Sequence, residues 1–187
     1  MKAIIQHAYG TADVLTLEDT VSPTVGANDV LIRVRAASIN HADLVYITGQ
    51  PLIARVAFGV NRPRQMVRGK DVAGTVEKIG TNVTAFRPGD DVYGELVAGS
   101  FAEYAVASVD QIARKPRNLT FAQAGTVPLA AMTALQGLRD AGALKPSQRV
   151  LIDGASGGVG TFAVQIAKAL GGDVTAVCSA GKTDLIR

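Results

Sequence analysis

A glycine-rich turn between an apolar segment and an amphipathic segment constrains the fold of this chain more than any other feature. Residues 150–172 read VLIDGASGGVGTFAVQIAKALGG, with glycines in a G-x-x-G-x-x-G spacing. The apolar run before the turn is typical of a parallel strand that is covered on both faces. Apolar residues after the turn recur at helical spacing, and Gly171-Gly172 predicts a left-handed helix end. Because residues 173–179 read DVTAVCS, a second strand is expected, and the segment predicts a strand–helix–strand unit.

Glycines in such a turn allow a phosphate group to approach the main chain, because a Cβ atom would obstruct it. The N-terminus of the following helix adds free N–H donors and a partial positive charge, both of which stabilise an anion. Gly160 is also expected to allow close packing of helix and strand. The turn is therefore predicted to bind the pyrophosphate of a dinucleotide through Gly154, Ala155, Ser156, Gly157, Gly158, Val159 and Gly160. The alternative is a tight turn that binds nothing.

The end of the second predicted strand indicates which dinucleotide binds. NAD sites usually place an Asp or Glu there, where it accepts a hydrogen bond from the ribose 2′-hydroxyl. This chain has Cys178-Ser179-Ala180-Gly181-Lys182 instead, without a carboxylate to repel a 2′-phosphate. Ser179 and Lys182 are predicted to bind that phosphate, which favours NADP(H) over NAD(H). The alternative is that Lys182 is simply exposed, as lysines usually are.

The cysteine and histidine content limits the chemistry. The chain has one cysteine, Cys178, and two histidines, His7 and His41. One cysteine excludes an internal disulfide framework and a multi-cysteine metal cage, so we expect no metal site. The apolar runs are far shorter than the ~18 residues that span a bilayer, and the N-terminus does not resemble a secretory signal. The sequence therefore predicts a cytoplasmic protein without a membrane partner.

A cluster of basic residues lies between Asp43 and Asp71, in a segment that contains no acidic residue. Its members are Arg55, Arg62, Arg64, Arg68 and Lys70. One interpretation is a solvated basic loop, and the other is a surface that attracts a phosphate-bearing ligand. Nucleic-acid binding is less favoured, because aromatic residues make up 5% of the chain and only Phe58 lies within the cluster. We therefore expect no nucleic-acid partner.

The character of the sequence changes near residue 120. Before it, short strands are predicted over residues 2–8, 30–36, 71–80 and 101–108, with turns such as Pro88-Gly89-Asp90 between them. Such strands are typical of a small barrel or sandwich. From Thr120 to Leu138 the pattern is helical and alanine-rich, interrupted at Gly125 and Pro128. We predict an α/β fold with a β-rich domain over residues 1–120 and an incomplete Rossmann (βαβ) domain over residues 121–187.

Five segments can be compared with known families. They read ASINHADLVYITG, GKDVAGTVEKIGTNVTAFRPGDDVYG, GSFAEYAV, AAMTALQGL and VLIDGASGGVGTFAVQIAK. In this order they resemble the medium-chain dehydrogenase/reductase superfamily, and most closely its zinc-independent quinone oxidoreductase branch. The resemblance implies that the β-rich domain is GroES-like and precedes a Rossmann domain. It also implies NADPH-dependent reduction of quinones, enones or related carbonyls, in which the cofactor carries the chemistry and the protein positions the reactants.

The resemblance also implies roles for individual residues. Asn40 would orient substrate or cofactor ribose, Asp43 would hold that network or pass a proton, and Tyr46 would line the substrate pocket. Thr133 would lie near the nicotinamide. The structural alternatives are a helix N-cap for Asp43, a core position for Tyr46 and a satisfied helix threonine for Thr133. Zinc-dependent relatives have Gly-His-Glu where this chain reads Gly69-Lys70-Asp71, which again argues against a metal.

Two functional interpretations follow. The first is the N-terminal portion of an NADPH-dependent oxidoreductase that acts on a small hydrophobic carbonyl or quinone substrate. Because a doubly wound sheet needs more βαβ units than this sequence supplies, we expect the chain alone to bind NADPH weakly and to turn over poorly. The second is a non-catalytic module that binds a ligand or partner, with a vestigial nucleotide half. Association into a homo-oligomer through the open sheet edge is a further expectation.

Overall fold

Antiparallel strands build the first part of the molecule, in a computed structural model that describes residues 1–186. β1 (Lys2–Gln6) and β2 (Leu15–Asp19) form a two-stranded ribbon. A five-stranded sheet contains β3 (Asp29–Ser38), β4 (Asp71–Ile79), β5 (Asp91–Glu95), β6 (Tyr104–Ser108) and β7 (Ile112–Arg114). The strand order in this sheet is β6-β3-β4-β5-β7, with every neighbour antiparallel. The four predicted strands are confirmed as β1, β3, β4 and β6, whereas β2, β5 and β7 were not predicted.

Most of the core of this first part comes from the five-stranded sheet. Val30 and Ile32 of β3 are fully buried, and they belong to one apolar cluster with Val72 and Val92. Arg33, between Val30 and Val34 on β3, instead forms an exposed ion pair with Glu77 of β4. A strand with one buried and one solvated face produces this alternation.

Three helices belong to the same part of the chain. α1 (His41–Thr48) follows β3 directly and ends at Gly49, whose φ of +62° is left-handed. A 3-10 turn at Leu52–Ala54 leads into α2 (Arg55–Phe58). α3 (Phe121–Gly125) begins after the N-cap Thr120, whose side chain accepts the amide of Gln123, and it packs on β3 and β4.

The described chain divides into two compact units, Met1–Pro128 and a second unit that begins at Leu129. α4 (Pro128–Leu135) starts with proline at its first position, where the missing N–H has no helical partner to lose. A π-helical turn, Gln136–Ala141, extends it. Because α3 packs on the first unit, the contacts place the division later than residue 120. The boundary after residue 120 stays a prediction.

The second unit contains the strand–helix–strand segment that the sequence predicts. β8 (Arg149–Asp153), α5 (Gly158–Ala169) and β9 (Asp173–Val177) follow in order, and α6 (Thr183–Ile186) comes last. β8 and β9 pair in parallel, with Ile152 opposite Ala176. A second apolar cluster joins them, formed around Ala134, Ile152, Ala155, Val164 and Ala167. The predicted parallel unit is confirmed, and so is the left-handed Gly171 after the helix, with φ +81°.

Candidate active site

The glycine-rich turn connects β8 to α5 and is held against the end of β9. The amide of Ala155 donates to the carbonyl of Val177 over 2.9 Å, and the amide of Gly157 donates to the carbonyl of Gly154 over 2.9 Å. Gly154 has a φ of +68°, in a region that glycine adopts without strain. These main-chain hydrogen bonds fix the conformation of the turn. They do not involve the outer side of the turn.

The amides at the start of α5 form the outer side of this turn. The amide of Thr161 makes the first helical bond, to the carbonyl of Gly157 over 3.0 Å. The amides of residues 158–160 precede that bond, so they lie among the N–H groups that a helix leaves without an internal partner. A Cβ atom built on Gly154 or on Gly158 would have no heavy atom within 4 Å. The main chain is thus open there, next to a partially positive helix terminus.

Gly160 fills a different role in the same turn. A Cβ atom at this position would lie 2.2 Å from the carbonyl oxygen of Gly154 and 2.7 Å from Cα of Ala155. Real side chains do not tolerate such distances, so only glycine allows α5 to pack against the turn. The close packing that the sequence predicts at Gly160 is confirmed.

Ser179 and Lys182 lie together immediately after β9. Both are exposed, and the amide of Lys182 donates to the carbonyl of Ser179 over 2.9 Å within a short 3-10 turn. The amide of Ala155, in the glycine-rich turn, donates a hydrogen bond to Val177 at the end of β9. The 3-10 turn with Ser179 and Lys182 therefore follows the strand end that the glycine-rich turn contacts. Their binding of a 2′-phosphate stays a prediction.

Thr133 lies on the exposed side of α4. Its Oγ1 donates to the carbonyl of Leu129 over 2.7 Å, which is the hydrogen bond of an ordinary helix threonine. The next residue, Ala134, is buried in the second apolar cluster with Ala155. The placement of Thr133 near a nicotinamide stays a prediction.

A pocket of about 360 Å³ lies within the first unit. Asp43 and Tyr46 of α1 and Phe58 of α2 line one part of it, and Arg68 and Lys70, which precede β4, line another. The rings of Tyr46 and Phe58 have centroids 4.1 Å apart and planes inclined by 42°. The pocket therefore offers two aromatic surfaces and several charged groups to one ligand.

Asp43 and Asn40 form a capping arrangement at the start of α1. Asn40 is the N-cap, and its main-chain N–H donates to Oδ2 of Asp43, the third helical residue, over 2.7 Å. The alternative that Asp43 is itself the N-cap is wrong, because the cap is Asn40, three residues earlier, and Asp43 accepts the bond from the cap, as in a capping box. Asp43 is 1% exposed and lines the pocket, whereas Asn40 is not among the lining residues.

The side chain of Asn40 is directed to β3 and β4. Its Nδ2 donates to Oγ of Ser38 over 3.1 Å and to Oδ2 of Asp71 over 3.0 Å. The hydroxyl of Ser38 donates to the same oxygen of Asp71 over 2.8 Å. Asn40 therefore links the buried Asp71 to Asp43 through hydrogen bonds.

Burial raises the pKa of the Asp43 carboxyl above its ordinary value. The hydrogen bond from the Asn40 amide opposes this shift, the negative charge of Asp71 adds to it, and the positive charges of Lys70 and Arg68 oppose it. Desolvation prevails because the charged form of a carboxyl loses most when water is removed. Asp43 consequently keeps its proton to a higher pH than an exposed aspartate.

Arg68 and Lys70 belong to the basic cluster of the sequence, but the sequence did not predict that they line the same pocket as Asp43 and Tyr46. Arg68 is 3% exposed, and burial lowers the pKa of its guanidinium. Lys70 forms an ion pair with Glu95 over 2.6 Å. Burial works to lower the pKa of Lys70, but the hydrogen bond and charge of Glu95 outweigh it and raise the pKa. Both cations lie 5.9 Å from the ring centroid of Tyr46.

The basic cluster that the sequence shows is therefore not one surface. Arg62 and Arg64 are exposed, as a solvated loop requires. Arg55 instead donates through Nε to the carbonyl of Gly49 over 3.1 Å and stacks on Tyr9, with its guanidinium 4.3 Å from the ring centroid. The interpretation as a solvated loop is wrong for Arg68, because the main chain of that residue pairs with two distant segments and carries the side chain inside.

Metal-ligand side chains do not gather in the described structure. Among residues 1–186, no group of three or more His, Cys, Asp or Glu side chains is placed to hold an ion. In the same range, no helix combines the length and apolarity that crossing a bilayer demands.

Residues 26–117 match the family described as "Alcohol dehydrogenase GroES-like domain". The chain is similar to the 2-methylene-furan-3-one reductase of Solanum lycopersicum, at 37% identity, and to the chloroplastic NADPH-dependent alkenal/one oxidoreductase of Arabidopsis thaliana, at 36%. Each alignment covers 100% of this chain and 50% of the relative. A solved structure of the quinone oxidoreductase from Coxiella burnetii matches with a TM-score of 0.89 and 36% identity, over 100% of this chain and 59% of that one.

The chain belongs to the medium-chain dehydrogenase/reductase superfamily. The resemblance of the five sequence segments to this superfamily is thereby confirmed, together with a GroES-like β-rich part in an α/β fold. The chain spans about half the length of the curated relatives of the superfamily that it matches. The names of these relatives and of the solved structure are those of a furanone reductase, an alkenal/one oxidoreductase and a quinone oxidoreductase.

Proposed function

We propose that this protein is an NADPH-dependent oxidoreductase that reduces a small planar quinone, enone or related carbonyl without a metal ion. The open main-chain turn at residues 154–160, at the N-terminus of α5, is the observation that carries the proposal. The names of relatives in the superfamily support it. A cytoplasmic location and a homo-oligomer belong to the same proposal, although one relative is chloroplastic.

The second unit has the features that a dinucleotide needs. The main chain is open at Gly154 and Gly158, and the adjacent helix terminus favours an anion. Ser179 and Lys182 would hold the 2′-phosphate of NADPH, because they follow β9 and no acidic residue lies between Val177 and Lys182. When bound, NADPH supplies a hydride.

The first unit supplies the groups for the substrate. Tyr46 and Phe58 present aromatic surfaces to a planar ring. Asp43 is the proposed proton donor, because it lines the pocket and burial raises its pKa, which favours the protonated carboxyl. The amide of Asn40 fixes the Asp43 carboxyl in place. Asn40 is a positioning residue in this scheme.

Titration of the chain with NADPH and NADH tests the cofactor half of the proposal. The fluorescence of the reduced nicotinamide should change with saturation, and NADPH should bind about tenfold or more tightly than NADH, since one charge-assisted contact contributes about 1.5–3 kcal/mol. Lys182→Ala should remove most of that preference. Lys145→Ala, at another exposed lysine, is the matched control and should retain it.

Consumption of NADPH with a panel of small quinones and enones tests the chemical half. Turnover that falls with Asp43→Asn, while NADPH affinity stays at its parent value, would support the proposed proton donor. A chain without any saturable nicotinamide signal would contradict the proposal. That outcome would favour the alternative, a non-catalytic module that binds a ligand or partner.

A further inference from the structure

We infer that the pocket of the first unit recognises substrates that carry a carboxylate, and that Arg68 is the residue that binds this group. This inference rests on the proposed function, in which the same pocket holds the substrate. It narrows the substrate to a planar unsaturated carbonyl compound with a negatively charged end. Arg68 would then determine specificity, while Asp43 supplies the proton.

Arg68 is buried without partners for two of its nitrogen atoms. It is 3% exposed, and neither Nε nor Nη2 has a hydrogen-bond partner among the described residues. Gln6 and Ser100 also have buried polar atoms without a partner, but of these three residues only Arg68 is charged and lines the pocket. Native proteins rarely leave a buried charge unpaired, because desolvation makes it unfavourable. The arrangement therefore indicates a ligand that completes the pairing.

The two unpartnered atoms lie on one edge of the guanidinium. Nε and Nη2 point in the same direction, with a spacing that matches the two oxygen atoms of a carboxylate. The same edge binds carboxylates elsewhere in this molecule. Nε and Nη2 of Arg33 contact Glu77 at 3.1 and 2.9 Å, and those of Arg139 contact Asp140 at 2.6 and 3.0 Å.

The other charged groups of the pocket make no ion pair with Arg68 among the described residues. Lys70 is paired with Glu95, and Arg64 is an exposed cation. Asp43 is the acidic residue among those that line the pocket, and its Oδ2 accepts the Asn40 amide. Among the residues described, Asp43 and Arg68 form no ion pair within 4 Å. The pocket is therefore positive around Arg68 and apolar at Tyr46 and Phe58, which fits a planar organic acid.

Isothermal titration of the chain with trans-cinnamate and trans-cinnamamide tests the inference, because these planar unsaturated compounds have the same size and differ in charge. The titration is made without NADPH. We expect cinnamate to bind about tenfold or more tightly than cinnamamide. Arg68→Gln should abolish this preference, and Arg62→Gln, an exposed arginine outside the pocket, should retain it.

Arg68→Lys and a folding measurement keep the test decisive if Arg68→Gln does not fold. Lysine keeps the charge but lacks the planar fork, so we expect it to lose most of the preference for cinnamate. Equal affinity of the parent chain for the two compounds would overturn the inference. A full preference in folded Arg68→Gln or in Arg68→Lys would overturn it as well.

NADPH titration of the same variants separates this inference from the proposed function. Arg68→Gln should bind NADPH with the parent affinity, because the proposed cofactor residues all lie in the second unit. A chain that prefers cinnamate but does not bind NADPH would contradict the proposed function alone. A chain that binds NADPH and reduces quinones, yet does not distinguish the two compounds, would contradict the inference alone.

Discussion

Asp43 and Arg68 show how burial changes the chemistry of single side chains in one pocket. Asp43 is 1% exposed and Arg68 is 3% exposed, so each has exchanged water for protein contacts. Burial raises the pKa of the aspartate and lowers the pKa of the arginine, since both shifts favour the neutral form. Arginine nevertheless stays charged at any physiological pH, whereas an aspartate can become neutral. The pair therefore combines a permanent cation with a carboxyl group whose protonated form is favoured by burial.

The raised pKa of Asp43 predicts a specific dependence of stability on pH. Between the ordinary aspartate value and the raised value, the folded protein binds more protons than the unfolded chain, so the free energy of unfolding falls as pH rises through this window. Asp43→Asn should remove this pH-dependent loss of stability. The side-chain oxygen of the new asparagine can still accept the main-chain N–H of Asn40, but the asparagine does not titrate. Urea unfolding at several pH values measures the effect.

The stability of Asp43→Asn relative to the parent should increase as pH rises above about 4. It should become constant once Asp43 is ionised in the folded parent. A difference that is the same at every pH would contradict the assignment of the raised pKa to Asp43.

Two glycines of the turn between β8 and α5 differ in the space around them: Gly160 is tightly packed, and Gly158 is open. Gly160→Ala would place a Cβ atom 2.2 Å from the carbonyl oxygen of Gly154, so we expect a loss of about 1–3 kcal/mol in the free energy of unfolding. Gly158→Ala would meet no heavy atom within 4 Å, and alanine is favoured in a helix by roughly 0.5–1 kcal/mol. We expect Gly158→Ala to keep or gain stability and to weaken NADPH binding, because the methyl group occupies the proposed phosphate approach.

Denaturant unfolding and NADPH titration of both variants separate packing from binding. If both substitutions lowered the free energy of unfolding equally, the open space at Gly158 would not explain the effect of substitutions in the turn. Unchanged NADPH affinity in Gly158→Ala would count against the proposed position of the phosphates.

The parallel unit could be predicted from the sequence because its signals are local. The glycine spacing, the helical repeat and the Gly171 helix end all lie within one segment, and the structure contains each of them. The charged pocket could not be predicted in this way. Arg68 is buried because its main chain bonds to Ile4 and Phe101, and no local pattern reports pairings between such distant segments.

At the scale of the whole molecule, each of the two units has its own apolar cluster. The first cluster draws its buried residues from the first unit and includes Ile32, which is fully buried. The second draws its buried residues from the second unit and includes Ile152, which is 8% exposed. Because the proposed cofactor residues belong to the second unit, bound NADPH should stabilise the unit that contains the second cluster. At one hundred times its Kd, a ligand stabilises the state it binds by about 2.7 kcal/mol.

Ile32→Ala and Ile152→Ala form a matched pair that tests this division. Each removes the same atoms from a core, at an expected loss of about 2–5 kcal/mol. Hydrogen exchange should show Ile32→Ala loosening the five-stranded sheet while NADPH affinity keeps its parent value, and Ile152→Ala loosening β8, α5 and β9 while NADPH binding weakens. Equal loss of NADPH affinity in both variants would mean that the two clusters unfold as one cooperative unit. The candidate cofactor turn would then depend on the packing of the entire chain.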